Sequence, residues 1–259
     1  MIVIDGIIAA VITFILARML GKVARGDPAR WEKTVRKLER RARQRPPPPE
    51  PVIFIGSSSI RFWKSLAEDF APLPVLNHGF GGAQIHQATF YADRLIFPFQ
   101  PQAVVFYAGD NDIGGIWFAK KKTPEEVASA FQQFCHKVYS RYPEIPIYVL
   151  SIKPSKRRRK HWPQMQAANA LLEEFARSDE RIRFVDVASP LLAGNGQPRS
   201  DVFRWDGVHL NAKGYAAWTA VLRPVLLRDL LEGTSPRNNL SVETLPDKAV
   251  TAQQLPERN

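Results

Sequence analysis

Five short apolar runs recur along the middle of the chain, and each is followed by a segment with the spacing of an amphipathic helix. Short runs rich in β-branched residues are typical of strands that are buried on both faces of a parallel sheet. The runs cover residues 52–55, 74–77, 103–108, 145–152 and 182–187. The predicted helices cover residues 60–70, 84–95, about 124–141 (with Thr123 as the N-cap) and 163–177, and a last one ends at residue 231. This alternation predicts a three-layer α/β/α fold around a doubly wound, five-stranded parallel sheet.

The N-terminus has a different pattern, because residues 2–20 are apolar apart from Asp5, Thr13 and Arg18. A helix of this length spans about 28 Å, which is just enough to cross the hydrocarbon core of a bilayer. We predict an uncleaved transmembrane anchor in residues 1–21, with a cleaved signal peptide and a buried helix as the alternatives. Residues 22–50 would then be a basic juxtamembrane helix with a proline-rich linker. Residues 51–232 would be the globular domain and residues 233–259 a disordered tail.

The distribution of charge adds to this picture, since the chain carries a net +11 at pH 7. Residues 18–45 hold eleven Lys or Arg against three acidic residues, a net +8, and residues 153–160 add six basic residues and no acidic one. These segments sum to +14, so the rest of the chain carries about −3. The charge therefore favours an anionic membrane surface over a nucleic-acid groove. Because Lys and Arg follow the predicted anchor, the positive-inside rule favours a cytoplasmic location for the globular domain.

The two basic segments each allow two interpretations. Residues 30–45 are expected to form a helix that lies along lipid headgroups or is simply solvated. Residues 156–160 are expected to form a solvated loop, or a loop that contacts lipid phosphates or steers an anionic substrate. The single cysteine, Cys135, excludes an internal disulfide and a cysteine-based zinc site, and no residue spacing indicates a metal site.

Unusual polar residues follow the predicted strands, at the edge where open α/β sheets bind their ligands. Residues 57–59 are three serines that follow a glycine, residues 78–82 form a glycine-rich turn, and Asn111 lies between two aspartates. After the last strand, Asp206 precedes His209 by three positions. Acyl transfer needs a nucleophile, a base, a group that orients the base and donors for the oxyanion, and these residues could supply all of them. Taken singly, Ser58 would more commonly be a helix N-cap than a nucleophile, and a serine turn can also bind a phosphate.

Together these blocks resemble the SGNH (GDSL-type) hydrolases, a family named for its Ser, Gly, Asn and His. The family's four sequence blocks match, in order, Gly56-Ser57-Ser58, the Gly82 turn, Gly109-Asp110-Asn111-Asp112, and Asp206 with His209. The resemblance covers about residues 52–231. It implies a flavodoxin-like α/β/α hydrolase that cleaves carboxylic esters and needs neither a cofactor nor a metal.

The resemblance also implies a role for each matched residue. Ser58 is expected to be the nucleophile, His209 the base and Asp206 the group that orients the imidazole. The oxyanion hole is expected to consist of the amides of Ser58 and Gly82 and the side-chain NH₂ of Asn111.

The chain departs from the family pattern at Ser57, where most members have an aspartate. We expect Ser57 to hydrogen-bond within its loop and Ser59 to cap the following helix. The remaining histidines match no motif and are expected to be structural: His78, His86, His136 and His161. His86 follows the Gly82 turn and could line the pocket. Two tryptophans in loops near the expected site could shape the pocket or simply pack: Trp117 and Trp205.

Two classes of function remain open. The first is a membrane-tethered serine esterase whose substrate is a small-molecule or lipid ester: a small ester, a lysophospholipid, an acyl thioester or an O-acetylated sugar. The second is a non-catalytic, flavodoxin-like module that binds phosphate or serves as a scaffold at the membrane. That second interpretation explains the serine turn but leaves Asp206 and His209 without a task. A nucleic-acid partner is not expected, because no aromatic residues are interleaved with the basic ones.

Overall fold

The sheet forms as the apolar pattern predicts. The computed structural model describes Thr13 and residues 26–115 and 119–233, and its five strands are all parallel, in the order β2-β1-β3-β4-β5. The strands are β1 Val52–Gly56, β2 Val75–Gly79, β3 Ala103–Tyr107, β4 Ile147–Leu150 and β5 Ile182–Val185. The connections run in opposite directions from β1 to β2 and from β2 to β3. A crevice between the carboxyl ends of β1 and β3 is therefore the place where this topology binds ligands.

Helices cover both faces of the sheet and complete the three layers. Side chains alternate along β1, so Ile53 and Ile55 enter one core and Val52 and Phe54 enter the other. The α-helices are α1 Glu32–Gln44, α2 Ser58–Arg61, α3 Leu66–Asp69, α4 Ile85–Phe90, α5 Ala92–Leu95, α6 Asp110–Gly114, α7 Pro124–Tyr139, α8 Trp162–Arg177 and α9 Ala212–Leu231. Short 3-10 turns are Pro28–Trp31, Phe97–Phe99, Lys156–His161 and Ser189–Leu191. The first core contains residues of α1, α4, α5, α7 and α8, and the second contains residues of α2, α3 and α9.

Two predicted helices are each broken into two short ones. The segment 60–70 forms α2 and α3, because the buried Trp63 turns inward and its indole N–H donates to the Asp69 carboxylate at 2.6 Å. The segment 84–95 forms α4 and α5, which meet at Tyr91, whose hydroxyl donates to the carbonyl of Pro28 at 2.8 Å. Both breaks occur where a side chain makes a tertiary contact, and the helical periodicity of the sequence does not predict such contacts. Strand β2 also continues through Gly79, which the sequence analysis had put in the glycine-rich turn.

Helix α1 belongs to the basic segment of residues 22–50, which we call the neck. It packs against the globular domain rather than being solvated on all sides. Val35 is fully buried in the first core. The Arg94 guanidinium binds the carboxylates of Glu32 and Glu39, each at 2.7 Å, and the indole of Trp31 donates to Gln87 at 2.9 Å. Two acidic side chains of the neck, Glu32 and Glu39, thus face the domain.

The predicted anchor, residues 2–20, and most of the predicted tail lie outside the described residues. Across residues 26–115 and 119–233, no helix combines the length and the apolarity that a bilayer crossing requires.

Replacement of Val35 by aspartate is expected to release the neck helix, because an unpaired carboxylate at this site would be buried among apolar side chains. Trypsin should then cleave the arginine-rich helix at least tenfold faster than in the unchanged protein, as followed by mass spectrometry. Gln44→Asp places a carboxylate at an exposed position of the same helix, removes no trypsin site and serves as the control. Equal cleavage rates in both variants would show that α1 does not depend on this contact.

Candidate active site

The turn after β1 brings Ser58 to the crevice between β1 and β3. Gly56 has a φ of +138°, and a Cβ atom there would overlap the carbonyl oxygen of Tyr107 on β3. Only glycine therefore allows the two strands to approach this closely. The amide of Ser57 continues the pairing by donating to the Tyr107 carbonyl at 2.9 Å, and α2 begins at Ser58. The Ser58 side chain lines a cavity at this edge of the sheet.

The two neighbouring serines differ from their predicted roles. Ser57, not Ser59, occupies the N-cap position of α2, and its side chain makes no capping hydrogen bond. Both hydroxyls are buried, and neither has a hydrogen-bond partner within the part of the chain that the structure describes. The loop is instead fixed through its backbone, since the Tyr215 hydroxyl on α9 donates to the Ser59 carbonyl at 2.8 Å. Among the three serines, Ser58 is the one that lines the cavity.

His209 and Asp206 meet Ser58 from the loop that precedes α9. The Nε2 atom of His209 lies 2.9 Å from the Ser58 Oγ, and its Nδ1 lies 2.7 Å from Asp206 Oδ2. A carboxylate can only accept, so the Nδ1 proton points to Asp206 and Nε2 is left as the acceptor of the Ser58 hydroxyl proton. The edge of the Phe62 ring packs against the imidazole, with 4.9 Å between ring centroids.

The Asp206 carboxylate is fixed by its own loop. Its Oδ1 accepts hydrogen bonds from the amides of Val208 and His209, at 2.8 and 2.9 Å. Burial alone would raise the pKa of Asp206, but the hydrogen bonds from the His209 ring and from these amides outweigh it and lower the pKa to about 2. Asp206 is therefore ionised throughout the neutral range.

Asn111 and Gly82 line the same cavity as Ser58. The Nδ2 of Asn111 donates to the Ala83 carbonyl at 3.0 Å, which leaves its second N–H for another acceptor. The Oδ1 accepts from Arg158 at 2.9 Å, and this contact fixes which way the amide group is turned. The amides of Ser58 and Gly82 have no acceptor within the described residues. All three groups line the same cavity.

A buried ionic cluster of Asp110, Lys153 and Arg158 adjoins the site, and no sequence motif indicates it. Asp110 lies 3.5 Å from the fully buried Lys153 and 3.3 Å from Arg158. Burial alone would raise the pKa of Asp110, but the charges of Lys153 and Arg158 outweigh it and hold the pKa below its usual range. The Lys153 ammonium also donates to the Val208 carbonyl at 2.8 Å. The cluster thereby joins the Asn111 turn to the loop of Asp206 and His209.

The residues that the sequence analysis placed near the pocket by position alone do not all lie there. His86 lies outside the cavity lining; its Nε2 is 2.8 Å from the Gly26 carbonyl and its Nδ1 is 3.4 Å from Lys122. Trp205 is 97% exposed and does not contact the cavity, and Trp117 lies outside the described residues. His78 is buried, with its Nδ1 2.6 Å from the Leu95 carbonyl, while His161 does line the cavity.

The cavity beside Ser58 and His209 has a volume of about 690 Å³, which is within the usual range of small-molecule sites. The predicted basic loop 156–160 is part of its wall and forms most of the 3-10 turn Lys156–His161. The neck contributes Arg30 and Trp31. Within the described ranges, no three His, Cys, Asp or Glu side chains are grouped as a metal would require.

Serine hydrolases use a serine, a histidine and a carboxylate that are joined by hydrogen bonds in one line, with hydrogen-bond donors for the oxyanion nearby. The same arrangement occurs here at the carboxyl edge of the parallel sheet. The comparisons with known proteins agree with this class. The model of the GDSL-like lipase/acylhydrolase family matches residues 56–217, and the chain belongs to this family. It is accordingly an ester-hydrolysing enzyme.

Solved structures share the fold at low sequence identity. A candidate platelet activating factor from Streptococcus pneumonia is 23% identical with a TM-score of 0.67, and the match covers 84% of this chain and 99% of that one. A candidate acylhydrolase from Bacteroides fragilis is 18% identical with a TM-score of 0.63, over 78% and 97% of the two chains. A GDSL-like lipase from Bacteroides thetaiotaomicron is 19% identical with a TM-score of 0.63, over 79% and 99%. The comparison with curated proteins gave no match.

Proposed function

We propose that the chain hydrolyses carboxylic esters through a Ser58–His209–Asp206 triad. The observation that carries the proposal is the unbroken hydrogen-bonded line from Asp206 through His209 to Ser58, with distances of 2.7 and 2.9 Å. The alternative of a non-catalytic phosphate cradle accounts for the serine turn but not for this line.

The acylation step follows from the geometry. The Ser58 Oγ attacks the ester carbonyl carbon while its proton passes to His209 Nε2. Asp206 accepts the Nδ1 proton in a hydrogen bond throughout and stabilises the imidazolium without taking that proton. When the tetrahedral intermediate collapses, the bond to the alkoxy oxygen breaks, and His209 gives its proton to the departing alcohol.

The deacylation step repeats the same proton transfers with water. His209 removes a proton from a water molecule that attacks the acyl-Ser58 carbonyl, and the bond to Ser58 then breaks. The proton returns from His209 to the Ser58 Oγ, and the carboxylic acid leaves. No cofactor enters the cycle.

The developing oxyanion of both steps is stabilised by the amides of Ser58 and Gly82 and by the Asn111 side chain. The support for this assignment is that all three donors line the cavity beside Ser58. Arg158 holds the Asn111 carbonyl oxygen, so the Nδ2 group stays turned away from it and available. Preorganised donors of this kind need no reorientation during the reaction.

Replacement of Asn111 by alanine is expected to lower kcat by roughly 100- to 1,000-fold, because one oxyanion donor is lost. KM should change little, since the donor acts mainly on the transition state. The measurement is steady-state hydrolysis of p-nitrophenyl esters of increasing acyl length. Asn195→Ala, in an exposed turn, is the control. A fall in kcat of less than about tenfold would remove Asn111 from the oxyanion hole.

We also propose that residues 1–21 anchor the enzyme in a membrane, with the globular domain in the cytoplasm. The support is the apolar run of residues 2–20, followed by the excess of Lys and Arg in residues 18–45. In membranes from cells that express the full chain, alkaline carbonate should leave the protein in the pellet. Of two reporters fused to the C-terminus, the one that is active only in the cytoplasm should be active, and the one that is active only on the other side of the membrane should not. Extraction of the protein by carbonate, or activity of the second reporter, would contradict the proposal.

A further inference from the structure

The cavity next to Ser58 is strongly cationic. Among the described residues that line it, Asp206 is the only carboxylate, and it is engaged by His209. Six lining side chains are Lys or Arg, so the lining carries a net charge of about +5. They come from the neck, from α2, from the segment before α7 and from the 3-10 turn before α8: Arg30, Arg61, Lys121, Arg157, Arg158 and Lys160.

Four of these cations have no carboxylate partner among the residues that the structure describes. Arg158 is committed to Asp110 and Asn111. In contrast, Arg61, Arg157, Lys121 and Lys160 form no ion pair with any described residue. The Arg61 guanidinium instead lies over the Phe62 ring, 5.3 Å from its centroid, and Phe62 itself packs on His209. The unpaired charge is therefore concentrated around the reactive histidine and serine.

Glycines in the cavity wall make room for the cationic side chains. A Cβ atom at Gly81 would lie 2.7 Å from a guanidinium nitrogen of Arg61. Likewise, a Cβ atom at Gly114 would lie 2.8 Å from Arg158 Cδ, and one at Gly115 would lie 3.1 Å from Lys121 Cγ. The wall is thus built to let these long side chains lie against the backbone.

Such a lining attracts anions. Four of its six cations belong to the two basic segments, residues 18–45 and 153–160, while Arg61 and Lys121 come from the rest of the chain. The four cations without an ion pair are exposed to solvent, so a ligand in the cavity can reach them. A neutral ester needs only the oxyanion donors and would leave these cations unused. An anionic group on the substrate would pair with them and raise the association rate.

We infer that the cavity contains an anion subsite, and that the enzyme acts on esters that carry a phosphate or carboxylate group beside the scissile bond. Arg61 and Arg157 both line the cavity, and the planar donor fork of a guanidinium group suits either oxyanion. The subsite deepens the function proposed above and rests on it. It also gives a role to the basic loop and to the docked neck, which both contribute to the cavity wall.

A matched pair of substrates tests the subsite: 4-acetoxybenzoate, which is anionic, and 4-acetoxybenzamide, which is neutral. For each ester, kcat/KM is divided by the rate constant of its hydrolysis by hydroxide, which corrects for the intrinsic reactivity of the ester. At low salt this ratio should be roughly tenfold or more higher for the anionic ester, and added salt should reduce the difference. Failure to hydrolyse either ester would count against the proposed function itself. Equal hydrolysis of both would overturn the subsite alone.

Variants identify the cations that carry the preference. In the double variant Arg61→Gln/Arg157→Gln, the ratio of the two rates should fall to near one. Arg159→Gln is the control, because it removes an arginine from the loop that contains Arg157. Arg159 does not line the cavity, so the ratio of the two rates should persist in this variant. A preference that survives the double variant, or that disappears equally in Arg159→Gln, would contradict the subsite.

Inhibition by small anions separates the subsite from a surface that binds lipid. Glycerol 3-phosphate and inorganic phosphate should compete with the anionic ester, whereas glycerol should not. If neither phosphate competes, and phosphatidylglycerol vesicles bind the unchanged protein but not the double variant, the cations serve a membrane surface and the proposal is wrong.

Discussion

Ser58→Ala is expected to reduce kcat for ester hydrolysis by roughly 10⁴- to 10⁶-fold, because it removes the only proposed nucleophile. The residual activity of the variant should come from direct attack by water on an ester whose oxyanion is still stabilised by the remaining donors. The fold should be unchanged, since the Ser58 Oγ forms a hydrogen bond with the His209 ring and with no other side chain in the described ranges, and the loop is held through its backbone. The measurement is initial-rate kinetics on p-nitrophenyl acetate, with thermal unfolding as a check on folding.

The neighbouring serines are the matched controls for this result. The hydroxyls of Ser57 and Ser59 are buried and have no partner within the described part of the chain, so their removal should leave kcat within a few-fold of its original value. A Ser57→Ala variant as inactive as Ser58→Ala, with an unchanged melting temperature, would mean that the nucleophile has been misassigned.

Asp206→Asn is expected to lower kcat by roughly 10³- to 10⁴-fold while leaving the geometry of the loop intact. An amide can donate to His209 Nδ1, and this would favour the tautomer whose proton is on Nε2, which cannot accept the Ser58 proton. KM should be little affected. Asp201→Asn is the control, because Asp201 is an exposed carboxylate of the same loop that binds Arg199. A loss of activity as large in the control would attribute the effect to loop folding.

The pKa of Asp206 adds a dependence on pH to this prediction. Its value of about 2 lies below the ordinary value of 3.8, so the ionised carboxylate stabilises the folded state. That contribution is fully present above about pH 4 and is lost as the pH falls towards 2. The free energies of unfolding of the protein and of Asp206→Asn should therefore converge over this range, as measured by urea denaturation. A difference that stays constant down to pH 2 would contradict the depressed pKa.

Much of the fold could be predicted from the sequence, because the strands are buried on both faces and hence form continuous apolar runs. The capping box of Thr123 and Glu126 likewise marks the start of α7, and this helix begins as predicted. The breaks at Trp63 and Tyr91 could not be predicted, because they depend on side-chain contacts that the helical period does not encode. The docking of α1 depends on the same kind of long-range contact, through Arg94.

For the site, the sequence predicts the five proposed residues but not the side chains that hold them in place. The five proposed residues lie in motifs that follow the strands, and parallel strands bring their carboxyl ends to one edge: Ser58, Gly82, Asn111, Asp206 and His209. Lys153 and Arg158 look like parts of a solvated basic segment in the sequence, yet one is fully buried against Asp110 and the other fixes the Asn111 amide. Only the folded chain shows that Lys153 is buried in an ionic cluster and that Arg158 lines the cavity.

The most direct test of the central claim is covalent labelling of the full chain with a fluorophosphonate, followed by peptide mapping. Phosphonylation requires a serine that is both reachable and activated by a base. We expect one adduct, on Ser58, and none after His209→Ala. An adduct on Ser57 or Ser59, or an unlabelled Ser58 in a protein that still hydrolyses esters, would contradict Ser58 as the nucleophile.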